Sequence, residues 1–182
     1  MSGHPIVSAL AIASEERPAD RIAALFDAHH QRLYRLARRL TPSADDALDL
    51  VQETFLRAAR APRSVPFGAD REEAWLVRVL VNVRRDQWRK AAVQKKHADP
   101  RPQLQTEPDH GPAVVARATI WRALDMLPPR RRAVIVMHEL EGLAISSIAS
   151  QLGISAITVR WHLAAARRDL TRILTSQYGE AK

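Results

Sequence analysis

The stretch ISSIASQLGISAITV, residues 145–159, decides the fold. Ile145, Ile148, Ala149 and Leu152 recur at three- and four-residue steps, which puts them on one side of a short helix. Gly153 follows as a residue free to take the left-handed backbone that ends such a helix. Ser155 then stands as the N-cap of a second helix, its hydroxyl placed to accept from an orphan amide. Ala149 lies where the second helix would cross the first, and a larger side chain would push the two apart. Ile154 and Val159 plug the angle between them. The spacing predicts a helix-turn-helix with helices over about 144–152 and 156–174.

On the second of these helices Val159, Leu163, Ala166 and Leu170 form the core stripe. Arg160, Trp161, Ala164, Ala165, Arg167 and Arg168 are left on the outer faces. A helix carrying arginines on its solvent side fits the major groove, with its N-terminal part nearest the base edges. The competing reading is a short helical hairpin with a glycine turn. Upstream, a helix over 113–126 is stopped by Leu127-Pro128-Pro129. A further helix over 130–140 and a turn at Glu141-Gly142-Leu143 lead into the motif.

Before this lobe, Pro100, Pro102, Pro108 and Pro112 fall within thirteen residues. No helix or central strand survives that density, so residues 96–112 read as a linker. The first lobe, 21–95, is also helical. Ile22, Leu25, Phe26, His29, Leu33, Leu36, Ala37 and Leu40 make one apolar stripe over 21–40. Thr41-Pro42-Ser43 breaks it, and Ser43 caps a helix over 45–60 with Asp45 and Asp46 in its first turn. Ala47, Val51, Thr54, Phe55 and Ala58 face inward there. A loop from Ala61 to Gly68 precedes a long helix over 71–94 with Leu76, Val79, Leu80 and Val83 as its core face. No stretch alternates with period two. The fold class is therefore all-α, two small helical domains (21–95 and 113–176) on a flexible linker, with tails over 1–20 and 177–182.

Charge adds a partner class. The 182 residues carry 28 Lys+Arg against 20 Asp+Glu, a net of +8, and only four of the 28 are lysine. Guanidinium forks match phosphates and guanine edges, so a polyanion, nucleic acid first, is one reading. A solvated basic surface is the other. Residues 1–95 carry 16 basic and 12 acidic residues, and 113–176 carry nine and four. Two basic lobes thus flank a tether that is slightly acidic.

Two outer faces of the first lobe stand out. On helix 45–60 they are Asp45, Asp49, Gln52, Glu53 and Leu56, an acidic stripe with one exposed leucine. It reads either as a solvated face or as a protein-docking surface, since it would repel DNA. On helix 71–94 the face opposite the core holds Trp75, Arg78, Asn82, Arg85, Asp86 and Arg89, with Trp88 and Lys90 close by. Aromatics among cations suit single-stranded nucleic acid, whose bases stack on rings while its phosphates follow the charges. Core burial is the other reading of the tryptophans, and for Trp75 the favoured one. Asp86 is placed to orient neighbouring arginines.

Taken together, Ala47-Leu48-Asp49-Leu50-Val51-Gln52-Glu53-Thr54-Phe55, Trp75-Leu76-Val77-Arg78 with Asn82-Val83, Leu127-Pro128-Pro129-Arg130, and Glu141-Gly142-Leu143 through Thr158-Val159-Arg160 resemble a bacterial RNA polymerase sigma factor. The two-lobed layout is similar to the extracytoplasmic-function (ECF) subgroup of the sigma-70 family, which keeps only regions 2 and 4. The resemblance covers about 21–176. It implies that the acidic stripe docks on the clamp helices of the polymerase β′ subunit. It implies that the long helix and the loop before it, about 62–73, capture unstacked bases of the −10 element, with Asn82 at the matching amide position. It implies that the second lobe reads the −35 element through Arg160, Trp161, Ala164 and Ala165, while Thr158, Arg130, Arg131 and Arg132 approach phosphates. The same lobe would rest on the β flap, the linker would thread through the polymerase, and an anti-sigma protein is a further partner the family implies. Leu48, Val77, Ser147 and Trp161-His162 depart from the usual pattern, and Ala164 and Ala165 remove side chains that reach bases. The promoter sequence is thereby left open, and a stand-alone helix-turn-helix regulator of duplex DNA is the alternative function.

The exclusions are firm. Without cysteine there is no disulfide, Cys-ligated zinc site, iron–sulfur cluster or thiol nucleophile. The seven histidines show no ligand spacing, no glycine-rich nucleotide loop is present, and no acid, base or nucleophile clusters. Neither an enzyme nor a cofactor is expected. No apolar run approaches the ~20 residues of a membrane span, and the early apolar residues lack a basic flank, so a cytoplasmic protein is expected.

Overall fold

The computed structural model describes residues 17–97 and 112–178. The expected linker falls outside them but for its ends, as do most of both tails. Among the described residues the chain forms seven α-helices and no strand. In the first lobe these are α1 (Pro18–Leu40), α2 (Ala44–Arg60) and α3 (Ala69–His97), with a 3-10 turn at Pro62–Ser64. In the second they are α4 (Pro112–Asp125), α5 (Pro129–Ile135), α6 (Ile145–Leu152) and α7 (Ala156–Tyr178). Helix α1 begins three residues earlier than its apolar stripe, because Pro18 occupies the first turn, where its missing N–H costs nothing. The expected helix over 130–140 splits: α5 ends at Ile135 and a π turn spans Val136–Leu140.

The local signals act as chemistry predicts. Ser43 Oγ accepts from the Asp46 amide at 3.0 Å and donates to the Asp46 carboxylate at 2.6 Å. Ser155 Oγ accepts from the Thr158 amide at 3.1 Å. Gly153 sits at φ 63°, its amide donating to Ser150 O while Ile154 N–H donates to Ala149 O. That pair of reversed bonds closes α6 and aims α7 across it.

In the first lobe Leu33, Leu36 and Leu40 of α1 meet Leu50 and Val51 of α2 and Leu76 and Leu80 of α3, all fully buried. Each such leucine contributes about 1.5–3 kcal/mol by leaving water. Phe26, expected in the apolar stripe of α1, is instead exposed, with its ring against His30 and Phe55. The second lobe closes on Ile148, Val159, Leu163 and Ala166. The two cores are continuous, because α3 buries a further edge, Val77 and Val81, against α5 and α6.

That seam passes under the turn of the helix-turn-helix. A methyl group on Gly153 would lie 2.7 Å from the Arg78 guanidinium carbon, whereas one on Gly142, at φ 67°, would meet nothing within 4 Å. Gly142→Ala is therefore expected to cost only the left-handed backbone penalty, about 1–2 kcal/mol. Gly153→Ala should cost more, since Arg78 must also swing away. Urea denaturation of the two variants measures the difference; equal losses would show that Arg78 moves freely.

Candidate nucleic-acid interface

Helix α7 presents two sides. Val159, Leu163 and Ala166 are buried. Arg160, Trp161, Ala164, Arg167 and Arg168 are exposed. Ala165 corrects its expected place: at 3 % exposure it belongs to the core, because α5 packs on that flank of α7 as well. The pairing of Arg131 with Asp169 marks that contact. Arg131 also lies over the Trp161 ring, 5.5 Å from its centroid, and His162 meets the same ring edge-on at 4.9 Å. Thr158 is half-buried and shares its hydroxyl with Ser155 at 2.8 Å, so it serves the cap. Arg167 pairs with Glu139 at 2.6 Å on the surface, and hydrogen bonding by Arg167 holds the Glu139 carboxyl below its usual range.

The three consecutive arginines of α5 separate. Arg130 is half-buried beside His162. Arg132 is the second correction: expected to approach phosphates, it is 2 % exposed. Its guanidinium is paired with Asp125 and donates to the carbonyls of Arg39 at 2.8 Å and Thr41 at 3.4 Å. Burial lowers its pKa, and the partnership with Asp125 works against that fall. It ties the second lobe to the end of α1.

A second tie lies beside it. The Glu141 carboxylate accepts from Arg32 at 2.7 and 3.1 Å and from Arg39 at 2.9 Å. The Glu141 side chain is 8 % exposed, against 23 % and 37 % for its partners. Arg32 also reaches Glu73, at 3.4 Å. Burial pulls the Arg32 pKa down, but its carboxylate partners more than restore it, and the net shift is upward. Bidentate Arg–carboxylate geometry in a partly desolvated place is the strong form of such a pair.

On α3, Trp75 is half-buried against the core, as favoured. Arg78 and Asn82 line the seam with Leu152, Ile154 and His162, and Arg78 donates to Ser150 O at 3.4 Å. Asp86 lies 3.7 Å from Arg85 and 3.5 Å from Arg57. Trp88, Arg89 and Lys90 are exposed beyond the seam. The face read as one surface is therefore divided: Arg78 and Asn82 lie against the second lobe, whereas Trp88, Arg89 and Lys90 are open. The ring of His162 also faces the seam. Burial, and then Arg130 and Arg131, hold its pKa below the usual histidine value.

Two features escaped the pattern. The ring of Phe67 is 66 % exposed in the loop before α3, with the Arg21 guanidinium 3.8 Å from its centroid. Arg21 also donates to the carbonyls of Pro62, Val65 and Pro66, which fixes the loop on α1. A loop has no periodicity to betray such a residue. Ile157, at the second position of α7, is 76 % exposed.

On α2 the outward stripe is present. Asp45, Asp49, Gln52 and Leu56 are exposed, and among the described residues no ion pair reaches Asp45 or Asp49. Glu53 is half-buried between Arg57, at 3.1 Å, and Arg60, at 3.7 Å. Among the described residues no group of His, Asp or Glu could hold a metal ion, and no helix is long and apolar enough to cross a membrane.

The sequence and the fold match known proteins. Residues 25–93 match the family model of sigma-70 region 2, and residues 117–170 that of sigma-70 region 4. The ECF RNA polymerase sigma factor SigL of Mycobacterium tuberculosis is 38 % identical over 151 residues, covering 81 % of this chain and 85 % of the relative. SigM of the same organism is 34 % identical over 151 residues, covering 82 % and 75 %. Among solved structures, CnrH in complex with the cytosolic domain of CnrY superposes with a TM-score of 0.55 at 27 % identity, over 85 % of this chain and 88 % of that one. RpoE of Bartonella quintana, in complex with the anti-sigma factor NepR, shares the fold with a TM-score of 0.57 at 23 % identity, over 88 % and 98 %.

Proposed function

We propose a division of labour between the two lobes of this chain, which belongs to the ECF sigma factors of the sigma-70 family. The chain is a promoter-directing sigma factor and a regulator of transcription initiation. The polymerase does the chemistry; this chain supplies address and strand opening, with no catalysis of its own. The observation that carries the assignment of roles is the opposite character of the outer faces of α2 and α7. One is a carboxylate stripe that DNA would repel, and the other presents Arg160 and Arg168 to solvent.

In this reading Asp45, Asp49, Gln52 and Leu56 dock on the β′ clamp helices. The second lobe rests on the β flap and lays α7 in the major groove of the −35 element. Phe67, Asn82, Trp88, Arg89 and Lys90 receive the −10 strand. Flipping a base out costs a few kcal/mol, and stacking returns about 1–3 kcal/mol per base, so a few captured bases offset the opening. Asn82 faces the second lobe, so the lobes must part before it meets a base. A protein partner bound across both lobes would hold them together.

In-vitro transcription with core polymerase, with and without this chain, tests the function. Promoter-specific RNA is expected only with both present. A regulator acting alone would instead protect duplex DNA without polymerase, which would overturn the reading. Arg160→Ala is expected to weaken upstream discrimination by about 1–3 kcal/mol at one base pair. An unchanged promoter-mutant profile would remove Arg160 from the base-reading set.

A further inference from the structure

The outer side of α7 carries more than charge. Starting from Ile157, residues 157, 161, 164 and 168 follow the i, i+4, i+7, i+11 pattern of one helical stripe. At about 100° per residue, Ile157 stands about 200° around the helix from Val159. The stripe Ile157, Trp161, Ala164, Arg168 thus lies opposite the core-facing stripe of buried Val159, Leu163 and Ala166 and half-buried Leu170. Ile157 is 76 % exposed and Trp161 is 55 % exposed. One exposed isoleucine on a protein surface needs no explanation. Here an isoleucine and a tryptophan adjoin one turn apart, at the start of the second helix of a helix-turn-helix.

The Trp161 ring is not loose. Arg131 lies over it at 5.5 Å, Arg131 is itself paired with Asp169, and His162 abuts the ring edge at 4.9 Å. The apolar pair is bordered by Arg160 on its own helix and by Arg131 on α5. Cations around an apolar edge fit a polyanion that also displays apolar groups. Duplex DNA is such a ligand, because thymine places its 5-methyl group in the major groove, where apolar side chains contact it.

We propose that Ile157, backed by the fixed ring of Trp161, reads the 5-methyl group of a thymine in the upstream promoter element. This rests on the reading of α7 as the duplex-binding helix and adds to it a residue and a chemistry. Arginines favour guanine, so the outer side of α7 divides recognition: Arg160, beside the stripe, takes a purine edge and Ile157 takes a methyl group. The upstream element is then expected to hold at least one thymine that uracil cannot replace.

The test uses the reconstituted holoenzyme. A promoter is first selected from a library randomised upstream of a fixed start region, and each upstream thymine is then replaced by deoxyuridine, which lacks only the methyl group. For wild type, one position is expected to lose about three- to fivefold in affinity, the worth of one buried carbon. Ile157→Ala should bind the thymine promoter about as weakly as wild type binds the uracil one, and should not distinguish the two. Arg160→Ala should still distinguish them. Because Ile157 is exposed, its alanine variant should keep the wild-type melting curve. A wild type indifferent to every uracil, or an undiminished thymine preference in Ile157→Ala, overturns the inference while the sigma reading stands. A library that yields no preferred upstream sequence overturns both.

Discussion

Core RNA polymerase is expected to be lost from a chain carrying Asp45→Arg and Asp49→Arg together. Both carboxylates are exposed on one stripe of α2 with Gln52 and Leu56, and among the described residues neither is engaged in an ion pair. Reversing both replaces attraction by repulsion at a docking face, and like-charge juxtaposition across an interface costs several kcal/mol. Affinity should fall at least about a hundredfold, roughly 3 kcal/mol, enough to abolish co-purification. Glu53 is the wrong residue to reverse, since Arg57 and Arg60 already share its charge. An arginine there would face two others and weaken α2 itself. Asp27→Arg, at an exposed carboxylate of α1, is the matched control and should bind normally. Leu56→Ala should cost about tenfold by removing a half-exposed apolar anchor. Wild-type retention of polymerase by the double variant would take the docking role from this stripe.

What the sequence disclosed and what it withheld follow from one physical distinction. Caps, turns and stripes are written within a few residues of one another. Ser43, Gly153 and Ser155 were therefore readable, as were the buried sides of α1, α2 and α7. The contacts that join the lobes link residues 72 to 109 apart, as between Arg78 and Ser150, Arg132 and Arg39, or Arg32 and Glu141. No local period announces them. That is why Arg132 read as a phosphate ligand, and why Val77 and Val81 did not read as core. Ala165 went astray for a related reason: α7 is covered on two adjacent flanks, so its buried arc is wider than the single stripe that the four apolar positions define. Glu141 was legible only as a turn residue, although it is the acid that Arg32 and Arg39 of α1 both engage.

Glu141 gives the second large effect. Glu141→Ala is expected to separate the two lobes without unfolding either. Its carboxylate is nearly buried and holds Arg32 and Arg39 at once. Without it two guanidinium groups, with Arg132 nearby, are left facing the second lobe, and Arg32 keeps only Glu73. Breaking a buried pair by removing one partner costs about 3–5 kcal/mol. The exposure of the two arginines sets the expectation below that range, about 2–3 kcal/mol, because water resolvates them once the lobes part. That shifts the balance of closed and open forms by roughly 30- to 150-fold. The absence of cysteine makes this measurable: cysteines introduced at Ala59 on α2 and Thr175 on α7, both exposed, accept a donor and acceptor dye. Energy transfer should be high in wild type and low in Glu141→Ala, with helical circular dichroism unchanged. Removing Glu73 instead should leave transfer high, since among the described residues its ion pair is with Arg32 of its own lobe. If closure restricts access to Asn82, the same variant should also bind a single-stranded −10 oligonucleotide more tightly, by up to the factor gained in open form. Unchanged energy transfer would show that the apolar seam around Val77, Val81 and Leu152 holds the lobes together without the ion pairs.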